Sequence, residues 1–177
     1  MSLPVEQLPA TIRRATVENI PVLRDLADRT WRDAYAEIIS AEQIEYMLAW
    51  MYSPEQIAKE LGEGVIWEIA EVDGHPAGFF SLTFLDQDHA KLNRLYVLPE
   101  RQGFGIGSHL LTRVQELARE RGVREISLQV NKQNARAIRR YERAGYNVSR
   151  SAVFDIGGGF VMDDYVMTQV IAPSGVA

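Results

Sequence analysis

Gln102-Gly103-Phe104-Gly105-Ile106-Gly107 stands between an apolar run that ends at Val97 and an amphipathic stretch that opens at Gly107. Closely spaced glycines let the backbone turn its N–H groups inward without Cβ clashes. The helix that follows adds its unpaired first-turn N–H groups and the positive end of its dipole. Such a strand-to-helix turn can hold a phosphate or pyrophosphate. A tight turn with no ligand uses the same glycines, and the hexapeptide alone leaves both readings open. What the motif lacks narrows the ligand. A Walker-type loop ends in Gly-Lys-Ser/Thr, and Gly107-Ser108 has no lysine. A dinucleotide fingerprint needs a further glycine where Ser108 stands, and a βαβ unit that the preceding hairpin spoils.

Outward from the loop the chain alternates between strand and helix periods. Residues 90–97 read as a strand closed by Pro99. Residues 107–121 put Leu110, Leu111, Val114, Leu117 and Ala118 on one helical face, with Gly122 as the stop. Upstream, residues 65–72 and 77–84 are strand-like runs joined by Asp73-Gly74, a strong hairpin signal. Before them the chain is mostly helical after a short strand at 11–14. Thr16 is a candidate N-cap, Val22, Leu23, Leu26, Ala27 and Thr30 keep helical spacing, and Trp31, Tyr35 and Ile38 continue it toward Ile39 through a second, kinked segment. Ser40 and Ser53-Pro54 mark further starts. Downstream come a strand at 125–130, a helix at 134–144 closed by Gly145, and a strand pair at 146–155 and 161–170 turned by residues 157–159. This order predicts an α/β (α+β) fold with one mixed sheet and helices on its faces.

The 177 residues, at roughly 150 per domain, predict a single domain spanning 1–177, with a core over about 10–170 and short tails. Nineteen Lys+Arg against 24 Asp+Glu give a net charge of −5, which disfavours a nucleic-acid partner. The absence of cysteine excludes disulfides, thiolate metal sites and a cysteine nucleophile. Three histidines without shared spacing to carboxylates suggest no metal site. No secretory signal and no membrane-length apolar run is present, so a cytoplasmic location is expected. Phe79 and Phe84 suit either a core or an interface, and a homodimer stays open.

With Gln102, Gly105 and Gly107 the loop meets the pattern Gln/Arg-x-x-Gly-x-Gly/Ala and resembles the GCN5-related N-acetyltransferase (GNAT) superfamily. Leu95-Tyr96-Val97-Leu98-Pro99-Glu100-Arg101 before it and Gly107-Ser108-His109-Leu110-Leu111 after it extend the resemblance. So does Asn131-x-x-Asn134-x-x-Ala137-x-x-x-Tyr141-x-x-x-Gly145-Tyr146. The resemblance implies a mostly antiparallel sheet of about six to seven strands flanked by about four or more helices. It implies acetyl-CoA as co-substrate, its pyrophosphate on Gln102, Gly103, Phe104, Gly105, Ile106, Gly107 and Ser108. It implies a pantetheine arm paired with the backbone of Leu95, Tyr96 and Val97. Asn134 and Tyr141 share one helix face about 10 Å apart. By similarity, Asn134 contacts the cofactor arm and Tyr141 sits near the thioester sulfur. Taken alone, Asn134 suits a helix cap and Tyr141 a core stripe with Ile138.

The chemistry suits these residues. An amine attacks the thioester carbonyl and a thiolate departs, and a phenol with an ordinary pKa near 10 can protonate it. Many relatives carry a glutamate base on the strand before the loop, but Lys91 and Asn93 hold the outward positions here. Water relayed from Asp86, Asp88 or His89 is one substitute; solvated loop residues are the other reading of those three. For the acceptor, Trp31 and Tyr35 share a helix face and would flank a cation, or simply pack on the sheet. Residues 154–160 with Met162-Asp163-Asp164-Tyr165-Val166-Met167 are similar to the C-terminal hairpin of the bacterial Pai-type polyamine acetyltransferases. That resemblance implies a polyamine such as spermidine or spermine as the small-molecule acceptor. A protein α-amine of the ribosomal-protein alanine type is the alternative acceptor. A non-catalytic acyl-CoA-binding sensor is the alternative function.

Overall fold

The computed structural model describes residues 8–173; the predicted tails at 1–7 and 174–177 lie outside the described residues. Seven strands form one sheet: β1 (Ala10–Arg14), β2 (Ile66–Val72), β3 (His75–Phe84), β4 (His89–Val97), β5 (Glu125–Asn131), β6 (Asn147–Gly157) and β7 (Phe160–Val170). Their order is β1-β2-β3-β4-β5-β7-β6, antiparallel except where β4 meets β5. Helices α4 (Ile106–Arg121) and α5 (Ala135–Arg143) cover one face; α1 (Ile20–Tyr35), α2 (Ala41–Met51) and α3 (Pro54–Gly62) cover the other.

Local chemistry explains most boundaries. Asp73 and Gly74, at φ 51° and 76°, turn β2 into β3 as the hairpin signal predicts. The Oγ atoms of Ser40 and Ser53 accept the N–H of Gln43 and Gln56, both at 3.1 Å, starting α2 and α3. The first helix departs from expectation at both ends. Thr16 caps a short 3-10 turn, Val17–Asn19, and its own N–H donates to Asn19 Oδ1 at 2.9 Å; α1 begins only at Ile20. It ends at Tyr35 rather than Ile39, because the N–H groups of Ile38 and Ile39 both turn back to the Tyr35 carbonyl, at 3.0 and 3.2 Å. That closure frees Ser40 to cap the next helix.

Each face of the sheet carries its own core. Leu110, Val114 and Ala118 of α4 are fully buried against Phe80, Leu82 and Ile126. On the opposite face Trp31, Tyr52, Trp67 and Phe79 pack together, Trp67 stacking on Phe79 with centroids 6.1 Å apart. Phe79 is therefore core, whereas Phe84 is half-buried beneath the Arg121 guanidinium, 4.4 Å from its ring centroid. Each such buried side chain contributes about 1.5–3 kcal/mol. Among the described residues no helix is long and apolar enough to cross a membrane.

The feature that positions the site is a split in the sheet. β4 and β5 pair in parallel only from His89 opposite Glu125 to Leu92 opposite Leu128, then diverge. On β4 the divergence begins at a bulge. Asn93 is the extra residue between Leu92, opposite Leu82, and Arg94, opposite Ser81. Beyond it Arg94 to Val97 still pairs with β3, leaving the β5 side of the strand without a ladder.

Candidate active site

Three connected cavities follow the split. The first, about 220 Å³, is the mouth, lined by Gln102, Gly103, Gly105, Ile106, Gly107 and Ser108 of the glycine loop and by Arg101, Arg136, Arg140 and Arg143. The loop is shaped by its backbone. Gln102 Nε2 donates to the Val97 carbonyl at 3.1 Å, and Gly105 caps α4 at φ 85°, a left-handed conformation that a side chain would strain. The helix starts at Ile106, one residue before the predicted Gly107, and points its free N–H groups into the mouth. A Cβ on Gly107 would lie 2.8 Å from Arg140 Nη1, so the missing side chain admits a guanidinium to the cradle. Backbone donors on one wall and guanidinium groups on the other suit a diphosphate-bearing ligand.

The second cavity, about 290 Å³, shares Val97, Gln102, Arg136 and Arg140 with the mouth and runs between the diverging strands. Leu95, Tyr96 and Val97 of β4 line one side, Gln129 and Val130 of β5 the other, and Asn134, Ala137 and Tyr141 complete it. Asn134 and Tyr141 therefore meet the same space. Asn134 also accepts the Ala137 N–H at 3.3 Å, so it caps α5 as well. Tyr141 is buried, its ring edge-on to Tyr146 with centroids 5.8 Å apart. Burial raises its phenol above the ordinary 10.0, and the Arg140 guanidinium offsets part of the rise. The phenol thus keeps its proton at neutral pH.

The third cavity, about 280 Å³, meets the second at Tyr35, Leu92, Asn93, Arg94, Tyr96 and Gln129. The Tyr35 and Tyr96 hydroxyls are 3.0 Å apart at this junction. Desolvation raises both phenols. Trp31 reaches the cavity wall but is otherwise core, its indole N–H donating to the Tyr52 hydroxyl at 2.9 Å. Trp31 and Tyr35 do share a face, with centroids 4.4 Å apart, and each is already committed to a polar partner. Phe154 of the C-terminal hairpin and Trp50, half exposed and not singled out by the sequence, add aromatic surface.

Charge in this cavity is concentrated in a few groups. Buried Arg94 donates to both carboxylate oxygens of Glu60, at 3.0 and 3.2 Å, to Ser81 Oγ at 3.1 Å and to the Met51 carbonyl at 3.1 Å. It also lies over the Trp67 ring, 4.6 Å from the centroid. Asn93 donates to Thr83 Oγ1 at 2.8 Å, while Lys91 lines the cavity with its ammonium pKa lowered by burial. Asp164 of β7 is buried on the same wall. Its signal lay in the alternation Met162, Asp164, Val166, which places it on the inward face of the strand. The proposed relay fares differently. Asp86, Asp88 and His89 occupy an exposed turn at the far end of β4 and line none of the three cavities. Asp86 Oδ1 accepts the Asp88 N–H at 2.8 Å and holds the His89 ring at 2.9 Å, which lowers the carboxyl pKa and raises that of the imidazole.

Residues 22–146 match the Acetyltransferase (GNAT) family. The chain belongs to that family. It is an acetyl-CoA-dependent N-acetyltransferase, and acetyl-CoA is its co-substrate. A spermidine N(1)-acetyltransferase of Thermoplasma acidophilum is 29% identical over 157 residues, 86% of this GNAT chain and 94% of the relative. The crystal structure of a PaiA N-acetyltransferase from T. acidophilum in complex with coenzyme A superposes with a TM-score of 0.80 at 27% identity, covering 92% of this chain and 99% of the other. The ribosomal-protein-S18-alanine N-acetyltransferase of Escherichia coli shares the fold, with a TM-score of 0.73 at 22% identity over 95% of this chain and 97% of its own.

Proposed function

We propose that this acetyltransferase moves the acetyl group to a primary amine of a polyamine such as spermidine or spermine. The third cavity carries the reading: beyond the tyrosine pair it sets the Asp164 carboxylate among the aromatic faces of Trp50 and Phe154. Aromatic faces attract ammonium groups, and apolar walls suit the methylene segments between them. Relatedness to a spermidine acetyltransferase across most of both chains supports the same acceptor class.

In this proposal the turn from Gln102 to Ser108 holds the diphosphate end of the co-substrate with Arg140, while Leu95, Tyr96 and Val97 offer their unladdered backbone to the pantetheine amides. Asn134 faces the same arm. Bound acetyl-CoA supplies a thioester carbonyl open to amine attack and a sulfur able to leave. A free β4 N–H in the split steadies the carbonyl oxygen, and Tyr141 gives its phenolic proton to the departing sulfur. Much of the acceleration comes from holding amine and thioester in register.

A steady-state panel of spermidine, spermine and a peptide with an N-terminal alanine tests the acceptor. Acetylated polyamine is expected with kcat/KM well above that for the peptide. A polyamine rate no greater than the uncatalysed one would overturn the proposal. Preference for the peptide would instead favour an α-amine acetyltransferase, and tight coenzyme A binding with no product would favour a sensor.

A further inference from the structure

The acceptor cavity contains one carboxylate that the proposed mechanism leaves unused. Asp164 is only 6% exposed, and its Oδ1 has no hydrogen-bond partner among the described residues. Burying a carboxylate oxygen without a partner is unfavourable, so a native structure that does so requires a reason. Neighbouring Asp163 points the other way and pairs with Lys132 at 2.8 Å. Glu60, the second cavity carboxylate, is taken up by Arg94. We infer that Asp164 accepts the proton that the acceptor's ammonium group must lose before its nitrogen can attack, an inference that rests on the amine-acetylation proposal above.

The surroundings fit that task. Desolvation, with repulsion from Asp163, pushes the Asp164 carboxyl up to about 6; Lys132 and Lys91 pull it down by less. Arg94, in the same cavity, is neutralised by Glu60. A base is most effective when its pKa lies near the working pH. In the transfer, an N–H bond of the ammonium breaks, its electron pair stays on nitrogen, and the proton passes to the Asp164 carboxylate. The C–N bond forms as the C–S bond breaks. The second nitrogen proton replaces the one that Tyr141 gives to sulfur, and Asp164 releases its proton to solvent. One ammonium and one thioester thus yield one amide, one thiol and one free proton.

The test is the pH profile of kcat/KM for spermidine in wild type, Asp164→Asn and Asp164→Glu, with coenzyme A affinity measured alongside. Wild type is expected to lose activity below a limb near pH 6. Asp164→Asn should lose about 100-fold or more at neutral pH together with that limb, with coenzyme A affinity unchanged. Asp164→Glu should keep a limb and recover part of the activity. An Asn variant that retains the limb, or an active Glu variant without one, overturns the assignment. A parallel loss of coenzyme A binding in both variants also overturns it, since that marks a structural role. Wild type that acetylates no amine overturns the functional proposal and this inference together, whereas active wild type with an unaltered Asn variant overturns this inference alone.

Discussion

Replacing Gly107 by alanine is expected to move ligand affinity and stability in opposite directions. An ideal Cβ at this position lies 2.8 Å from Arg140 Nη1 and 3.1 Å from Arg140 Cδ. These atoms end a flexible side chain, so the guanidinium gives way and the backbone stays. The mouth then loses one of its four arginine groups as a phosphate partner. A hydrogen bond to a charged group contributes about 1.5–3 kcal/mol, so the Kd for coenzyme A should rise about ten- to a hundredfold. Alanine meanwhile favours a helix over glycine by up to about 1 kcal/mol. The midpoint of thermal unfolding should therefore hold or rise. Calorimetric titration of coenzyme A at two salt concentrations measures the first effect, and the difference should shrink as salt screens the mouth. A low-salt Kd within about twofold of wild type would refute the placement of Arg140 at the phosphate end. A clear fall in the unfolding midpoint would refute the claim that only a side chain moves.

Tyr141→Phe should lower kcat by about 100-fold or more with little change in coenzyme A affinity, because the hydroxyl is lost and the buried ring stays; stopped-flow detection of free thiol checks this. Gly105→Val forces a branched side chain into a left-handed backbone, costing about 1–3 kcal/mol, and should lower both the unfolding midpoint and coenzyme A binding. Arg94→Ala leaves half-buried Glu60 without its partner and should cost about 1–3 kcal/mol in denaturant unfolding. Asp164 also predicts a stability profile. Its folded pKa lies above the ordinary 3.8, so the folded state holds the proton more tightly and stability falls as pH rises from about 4 through about 6. Asp164→Asn should therefore unfold at a higher temperature than wild type at pH 7.5 and at nearly the same temperature near pH 4.

The mouth was legible because its chemistry is local. Gly103 and Gly105 adopt left-handed backbone within their own turn, and Gln102 bonds to a carbonyl only five residues away, so neighbouring letters carry the information. Asn134 and Tyr141 were legible for the same reason, since helix geometry alone puts residues seven apart on one face. The end of α1 was misread because the apolar spacing continues through Ile38, while the turn that stops the helix is a backbone event with no residue signal. The third cavity was the least legible part. Glu60 comes from α3, Lys91 from β4, Gln129 from β5 and Asp164 from β7, and no spacing rule links them.

Taken alone, the sequence determined the element order, the glycine-rich turn before α4, the shared face of Asn134 and Tyr141 and the exclusion of cysteine chemistry. Each depends on backbone geometry over a few residues or on composition. The tertiary structure decided that β4 and β5 part after Leu92, that four arginines converge on one mouth, and that the buried Asp164 Oδ1 has no hydrogen-bond partner among the described residues while Glu60 is held by Arg94. Those outcomes depend on which strands become neighbours and how far their pairing runs. Pairing is set by packing across the two cores, between residues far apart in the chain.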